Sequence, residues 1–137
     1  MQILRQLAAT MTSVLIVACA TGGGLPDAGS PLTGREWVVE DIAGRGIIDD
    51  TRVTLTFGAD GRLSGQASCN RLLGAYTVNG SNLNIGDAGL TMMMCPPALM
   101  DQERQFIDVL NNVQRYRVDA SGALVLTTTT GTTITAR

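Results

Sequence analysis

The sequence predicts a mainly β protein: a small antiparallel β-barrel, complete or incomplete, with one inserted α-helix. Three observations predict it. From Trp37 onward apolar and polar residues mostly alternate, the two-residue period of half-buried strands. Turn signals built on Gly, Asn and Asp interrupt the alternation at the short intervals expected of a small barrel or sandwich. One stretch after Pro96 changes to helical spacing. Closing the sheet would also cover strand edges that otherwise invite pairing with other chains.

The elements follow in order. Residues 37–42 read as the first strand, and Val53, Leu55 and Phe57 alternate with Thr54 and Thr56 to give a second. Residues 59–62, Ala-Asp-Gly-Arg, form a turn, after which 63–67 returns as a hairpin partner. Residues 74–78 and 83–85 flank Asn79-Gly80-Ser81, another hairpin signal. Three last strands, 114–119, 123–128 and 132–136, are joined through Ser121-Gly122 and Gly131. Between the strand at 83–85 and the one at 114–119, Leu99, Glu103, Phe106, Leu110 and Val113 recur at helical spacing, with Ile107 beside Phe106. Pro96-Pro97 stands where a helix can begin, and Asp101 and Glu103 fall in its first turns, suited to the helix dipole. The expectation is a helix of about four turns whose apolar stripe plugs or covers the barrel. Glu103 lies on that stripe. It is either a ligand contact or, as a buried charge needs partners, a carboxylate that caps backbone donors or pairs with an Arg.

The chain of 137 residues suits one domain, and 45% hydrophobic residues suffice for a packed core. Its organisation reads as a lipoprotein signal peptide over 1–18, a lipidated flexible tether over 19–34 and a folded domain over 35–137. Arg5 supplies a positive start, and the twelve apolar-rich residues 7–18 match a signal-peptide core. They are too few for a membrane span, which takes about 20 residues. Residues 15–19, Leu-Ile-Val-Ala-Cys, look like a lipobox, making Cys19 the lipid attachment site. The alternative is an ordinary signal peptide with an incidental Cys. The Gly-, Pro- and Ser-rich stretch 20–34 is expected to bury little. Ala20 after the Cys, in place of Asp, matches outer-membrane sorting as in enteric bacteria, which places the domain in the cell envelope facing the periplasm.

Composition narrows the chemistry. Ten Arg, no Lys and twelve Asp plus Glu leave a mildly acidic chain, and removal of 1–18 takes away Arg5 alone. That balance argues against nucleic-acid binding and against docking on anionic lipid by charge. The sequence has no His, so it lacks a triad base, a His-based metal site and an ordinary proton shuttle. Cys69 or Cys95 would have no His to activate it as a nucleophile. Asp49-Asp50 reads as a solvated charge pair, because Ca²⁺ requires more oxygen ligands. No phosphate-binding Gly motif occurs. The expectation is a non-enzyme with no catalytic residue, no metal and no cofactor. Trp37 and Tyr76 could line a pocket, but in a chain with so few aromatics they are expected in the core. Met92, Met93 and Met94 could form an adaptable apolar surface, but a strand there would bury one face.

These residues also carry a family resemblance. Trp37, Leu55-Thr56-Phe57 with Asp60-Gly61-Arg62, and Ser64-Gly65 look like the start of a META/HslJ domain. Cys69-Asn70-Arg71 with Gly74 and Tyr76 is similar to that family's Gly-Cys-Asn segment followed by Gly-x-Tyr. Leu83-Asn84-Ile85, Thr91-Met92-Met93-Met94-Cys95, Glu103 and Phe106 continue the match. The resemblance covers residues 35–137 and marks Asn70, Gly74, Tyr76, Thr91, Met93 and Glu103 as family-motif positions. Ser68 stands where the family usually has Gly, and Met92 where an Arg is common. If that Arg contributes to a binding surface, this chain lacks it. The resemblance implies a small barrel-like fold with an inserted helix, often in envelope lipoproteins, and no established catalytic activity.

The family's cysteines at the positions of Cys69 and Cys95 imply a disulfide. Export and use of Cys19 for lipid would leave these two in an oxidising compartment. Each lies at a junction, Cys95 just before Pro96. The alternative is two reduced thiols acting as small core residues. Two functions remain in view. The first is an envelope module that binds another envelope component or supports envelope integrity under stress, in a family that includes heat-inducible members. The second is a carrier or chaperone for an apolar ligand or the tail of an envelope protein. A barrel filled by Phe57 and Leu110 would favour the first, and an apolar cavity open to solvent the second. The expected partners are a membrane, through the lipid anchor, and an envelope protein or lipid.

Overall fold

Inward and outward residues alternate from the first strand: in β1 (Glu36–Ile42) Trp37, Val39 and Ile42 are buried while Glu36, Val38 and Glu40 face out. The computed structural model of the chain describes residues 30–137. The expected signal peptide, the expected lipid site Cys19 and most of the expected tether lie outside the described residues. The strands β2 (Val53–Phe57), β3 (Arg62–Ala67), β4 (Arg71–Asn79) and β5 (Asn82–Leu90) follow as antiparallel neighbours. Helix α1 (Pro97–Asn111) is inserted next, and β6 (Val113–Val118), β7 (Leu124–Thr128) and β8 (Thr133–Ala136) complete the order. Pairing of β1 with β8 makes a closed eight-stranded barrel in sequence order.

The β5–β6 seam is the weakest, with the single register pair Asn82↔Arg115. Helix α1 packs against β5 and also touches β1, β3, β7 and β8. An up-and-down order puts every second connection at the same end. The helix therefore shares one end of the barrel with the β1–β2 loop, the β3–β4 turn and the β7–β8 turn. The interior is filled. Trp37, Leu55, Phe57, Leu63, Leu72, Leu83, Leu124, Leu126 and Ile134 form one cluster with Phe106 and Leu110 of the helix. Phe106 and Leu110 are fully buried, as expected of the apolar stripe.

The larger differences from expectation lie before β1, in β4 and β5, and at the two ends of the helix. Residues 30–34, expected in the tether, join the fold: Leu32 is fully buried, Thr33 bridges to Phe57, and Trp37 Nε1 donates to the Leu32 carbonyl at 2.9 Å. β4 and β5 run further than expected because their additional residues, Gly86 and Gly89 among them, carry no clear hydrophobic alternation. Val113, expected on the helix stripe, opens β6, because the helix ends at Asn111. Pro97 occupies the first helical position, but the first turn holds no acid. Asp101 lies beyond that turn and pairs with Arg104, so neither it nor Glu103 serves the dipole as expected.

Candidate functional site

Glu103 is 4% exposed, and a carboxylate so placed must find donors. It meets backbone donors, as expected, but not those of its own helix start, and among the described residues it pairs with no Arg. The donors come from the β3–β4 turn. Oε2 accepts from the backbone N–H of Asn70 at 2.6 Å and of Cys69 at 3.2 Å, and Oε1 accepts from Asn70 Nδ2 at 2.8 Å. Hydrogen bonds to an ionised acceptor are the stronger kind, and three of them compensate the burial.

Asn70, itself 3% exposed, passes the connection on. Its Oδ1 accepts from Thr91 Oγ1 at 3.0 Å and from the Met93 N–H at 2.6 Å, and its Nδ2 also donates to the Met93 carbonyl at 3.4 Å. The side chain thus mimics a neighbouring strand for Met93. The Cys69 and Cys95 sulfurs lie at disulfide distance, with Cα atoms 6.0 Å apart, tying the far end of the same segment to the turn. Beside them Gln102, 7% exposed, accepts from the Ile48 N–H at 2.8 Å and donates to Thr51 Oγ1 at 3.1 Å and Ser68 Oγ at 3.0 Å. Adjacent helix residues therefore hold the β1–β2 loop and the β3–β4 turn. Among the described residues no buried side-chain polar atom lacks a partner.

Ser68 explains one departure from the family pattern. Its φ is +81°, the left-handed region that favours Gly, and its hydroxyl gains the Gln102 contact there. Met92, the other departure, is 94% exposed, as is Met94, with Met93 between them at 56%. That overturns the expectation of a buried methionine face. No strand forms over 91–96, because β5 ends at Leu90 and the backbone of Met93 bonds to a side chain rather than a ladder.

The expected site residues fall into two groups. Asn70, Thr91, Met93, Glu103, Cys69 and Cys95 converge on this knot at the helix end. Gly74 and Tyr76 belong to the barrel wall. A Cβ on Gly74 would come within 3.3 Å of Ala88 Cα, next to a register shift between Leu73 and Ala75. Tyr76 donates to the Gly58 carbonyl at 2.6 Å and meets Phe57 edge-on, centroids 5.0 Å apart. Burial, seconded by the nearby Asp60 carboxylate, raises the Tyr76 pKa above its ordinary value. Tyr76 is thus half-buried against the core rather than inside it, whereas Trp37 is fully inside and covered by Arg35, 4.1 Å above its ring. Gln102 was missed by sequence reasoning. Its signal was present, since it lies three residues after Leu99 and four before Phe106, on the buried face.

Two open grooves flank the knot. One, of about 810 Å³, runs between the β1–β2 loop and α1, lined by Arg45, Ile47, Ile48, Asp101, Arg104 and Asp108. The other, of about 760 Å³, crosses the outside of β2, β3 and β4 over Thr54, Thr56, Ser64, Gln66 and Arg71. No cluster of three or more His, Cys, Asp or Glu side chains suited to a metal occurs among the described residues. What the knot does physically is hold residues 91–95 in one place with methionine side chains in solvent.

The family model described as the META domain matches residues 30–137, which includes Leu32 and Thr33. The barrel is similar to the NMR structure of a protein from Burkholderia xenovorans, 22% identical over 98% of this chain and 97% of that one, with a TM-score of 0.62. A second NMR structure is 24% identical over 79% of this chain and 94% of that one, also at 0.62. A crystal structure of a DUF4847 family protein from Bacteroides vulgatus is 21% identical over 77% of this chain and 92% of that one, at 0.57. At such identities these likenesses concern the fold. No curated protein matches the sequence.

Proposed function

The chain belongs to the META domain family, and we propose that it is a non-enzymatic lipoprotein of the cell envelope whose domain binds another envelope component, a protein or a lipid, through Met92–Met94. In this reading lipid on Cys19 anchors it to the outer membrane facing the periplasm, and the domain works without a cofactor, supporting the envelope under stress. One observation carries the reading. Large apolar side chains normally leave water, yet Met92 and Met94 are each 94% exposed. Their exposure is not that of a loose loop, since buried Asn70 holds Met93 by both its backbone groups and Cys95 closes the segment. A rigid backbone with polarizable, adaptable side chains suits recognition of an apolar surface. The filled core, with Phe57 and Leu110 fully buried, favours this over a carrier that holds its ligand inside the barrel.

The test is capture from native membranes by the lipidated protein, compared with a Met92→Ser, Met94→Ser variant. The expected result is a partner retained by the native protein and lost by the variant, with unchanged thermal midpoints for both. Equal capture by the two proteins, or none by either, removes the methionine surface from the function.

A further inference from the structure

The four methionines of residues 30–137 all fall within the nine positions from Met92 to Met100. Exposure along the first three runs 94%, 56% and 94%, so Met92 and Met94 both project into solvent, with the less exposed Met93 between them. None of residues 91–95 has a positive φ, and Met93 is pinned between them by Asn70 at 2.6 Å. Two thioethers two residues apart are thereby presented to solvent from a segment pinned at Met93. Met100, half-buried in the first turn of α1, is the next thioether along the chain.

Thioether sulfur is a soft, uncharged donor. It selects soft metal ions such as Cu(I) and offers little to Ca²⁺, Mg²⁺ or Zn²⁺, which prefer oxygen, nitrogen or thiolate. Residues 91–97, Thr-Met-Met-Met-Cys-Pro-Pro, contain no charge that would favour a divalent ion. Competing imidazole and free thiolate ligands are absent among the described residues: the sequence has no His, and the Cys69 and Cys95 sulfurs are at disulfide distance. We propose that Met92 and Met94 form a surface site for a soft monovalent cation, Cu(I) or its redox-inert analogue Ag(I). The site rests on the same loop as the function above, but it needs no protein or lipid partner. Because a thioether carries no proton to lose, binding here persists in acid, where thiolate, imidazole and carboxylate sites release their metals.

The experiment uses the full mature protein, disulfide intact, with ¹³C-labelled methionine methyl groups and Ag(I) as the probe. One equivalent of Ag(I) shifts the Met92 and Met94 methyl resonances, equally at pH 7 and pH 4, while Zn²⁺ shifts neither. A Met92→Leu, Met94→Leu variant keeps the native thermal midpoint and binds Ag(I) at least tenfold more weakly. The site is overturned by unshifted Met92 and Met94 resonances, by undiminished binding in the double variant, or by binding that vanishes at pH 4. Membrane capture that depends on Met92 and Met94 without any Ag(I) shift would likewise overturn the cation site and leave the binding module standing. An Ag(I) shift without capture would support the cation and remove the envelope partner.

Discussion

Glu103 and Asn70 are joined twice, through the Asn70 backbone N–H at 2.6 Å and through its side-chain amide at 2.8 Å, across 33 residues of sequence. Removing the carboxylate leaves two buried backbone donors and half of the Asn70 amide without partners. Glu103→Ala is expected to cost about 2–4 kcal/mol, and Glu103→Gln, which keeps one acceptor oxygen, less. Urea denaturation measures both. Amide exchange at Cys69 and Asn70 should accelerate in the Ala variant, and a cost under about 0.5 kcal/mol would show that the knot does not stabilise the fold.

The helix plug is tested by a pair of substitutions two residues apart. Phe106 is fully buried and Asp108 is exposed. Phe106→Ala should cost about 3–5 kcal/mol by lost burial and a residual cavity. Asp108→Ala should stay within about 0.5 kcal/mol. Equal denaturation midpoints would refute the plug.

Thiol titration of the denatured, unreduced domain should find neither Cys69 nor Cys95 free, because their sulfurs lie at disulfide distance and are expected to be bonded. The bridge spans 26 residues, which on the chain-entropy account stabilises by about 3–4 kcal/mol. A Cys69→Ser, Cys95→Ser variant should therefore unfold at lower denaturant. Two titratable thiols in the native protein would refute the bridge.

Tyr76 makes the fold sensitive to alkali. Its pKa is raised from 10.0 by burial and then by Asp60, so the native state holds this proton more tightly than the unfolded chain does. The corresponding stability is fully present below pH 10 and is lost as pH rises from there through the native value. Tyr76→Phe should cost about 1 kcal/mol at neutral pH through the lost bond to Gly58, and should show a flatter decline of the thermal midpoint above pH 10. Parallel declines in the two proteins would assign the alkaline loss to other groups.

Processing is decided at one atom. If the Cys19 thiol is the acyl acceptor, Cys19→Ser should abolish lipidation and leave the precursor uncleaved by the lipoprotein peptidase. Mass spectrometry of the mature N-terminus reads this directly, and an unmodified chain cut elsewhere would end the lipoprotein proposal.

The barrel was legible because its signal is local. Val53, Leu55 and Phe57 alternate, their turn carries Asp60-Gly61, and each hairpin partner is the next run in the chain. The knot was legible only as an anomaly: Glu103 on an apolar stripe announces a buried acid, but its donors lie a third of the domain away, where no period connects them. Met92–Met94 misled for a related reason. An alternating apolar run implies a buried face only if a neighbouring strand supplies one. Here the neighbour is the Asn70 side chain, which satisfies the Met93 backbone without covering the methionines. Leu32 was hidden by the Gly and Pro around it, although one apolar residue beside Trp37 is enough to close the bottom of the core.

The up-and-down strand order also has a consequence for orientation. β1 leaves Leu32 and runs toward the helix, and Arg137 returns beside Val38, exchanging hydrogen bonds of 2.7 and 2.8 Å. Both ends of the folded domain therefore emerge on one side, while Met92–Met94 and α1 crown the other. With strands rising about 3.3 Å per residue and tilted, the two sides are roughly 15–20 Å apart. If the tether holds the first side toward the lipid, the methionines look away from the bilayer, and whatever they meet arrives from the aqueous compartment. A tag fused after Arg137 would crowd the membrane side and leave that approach open.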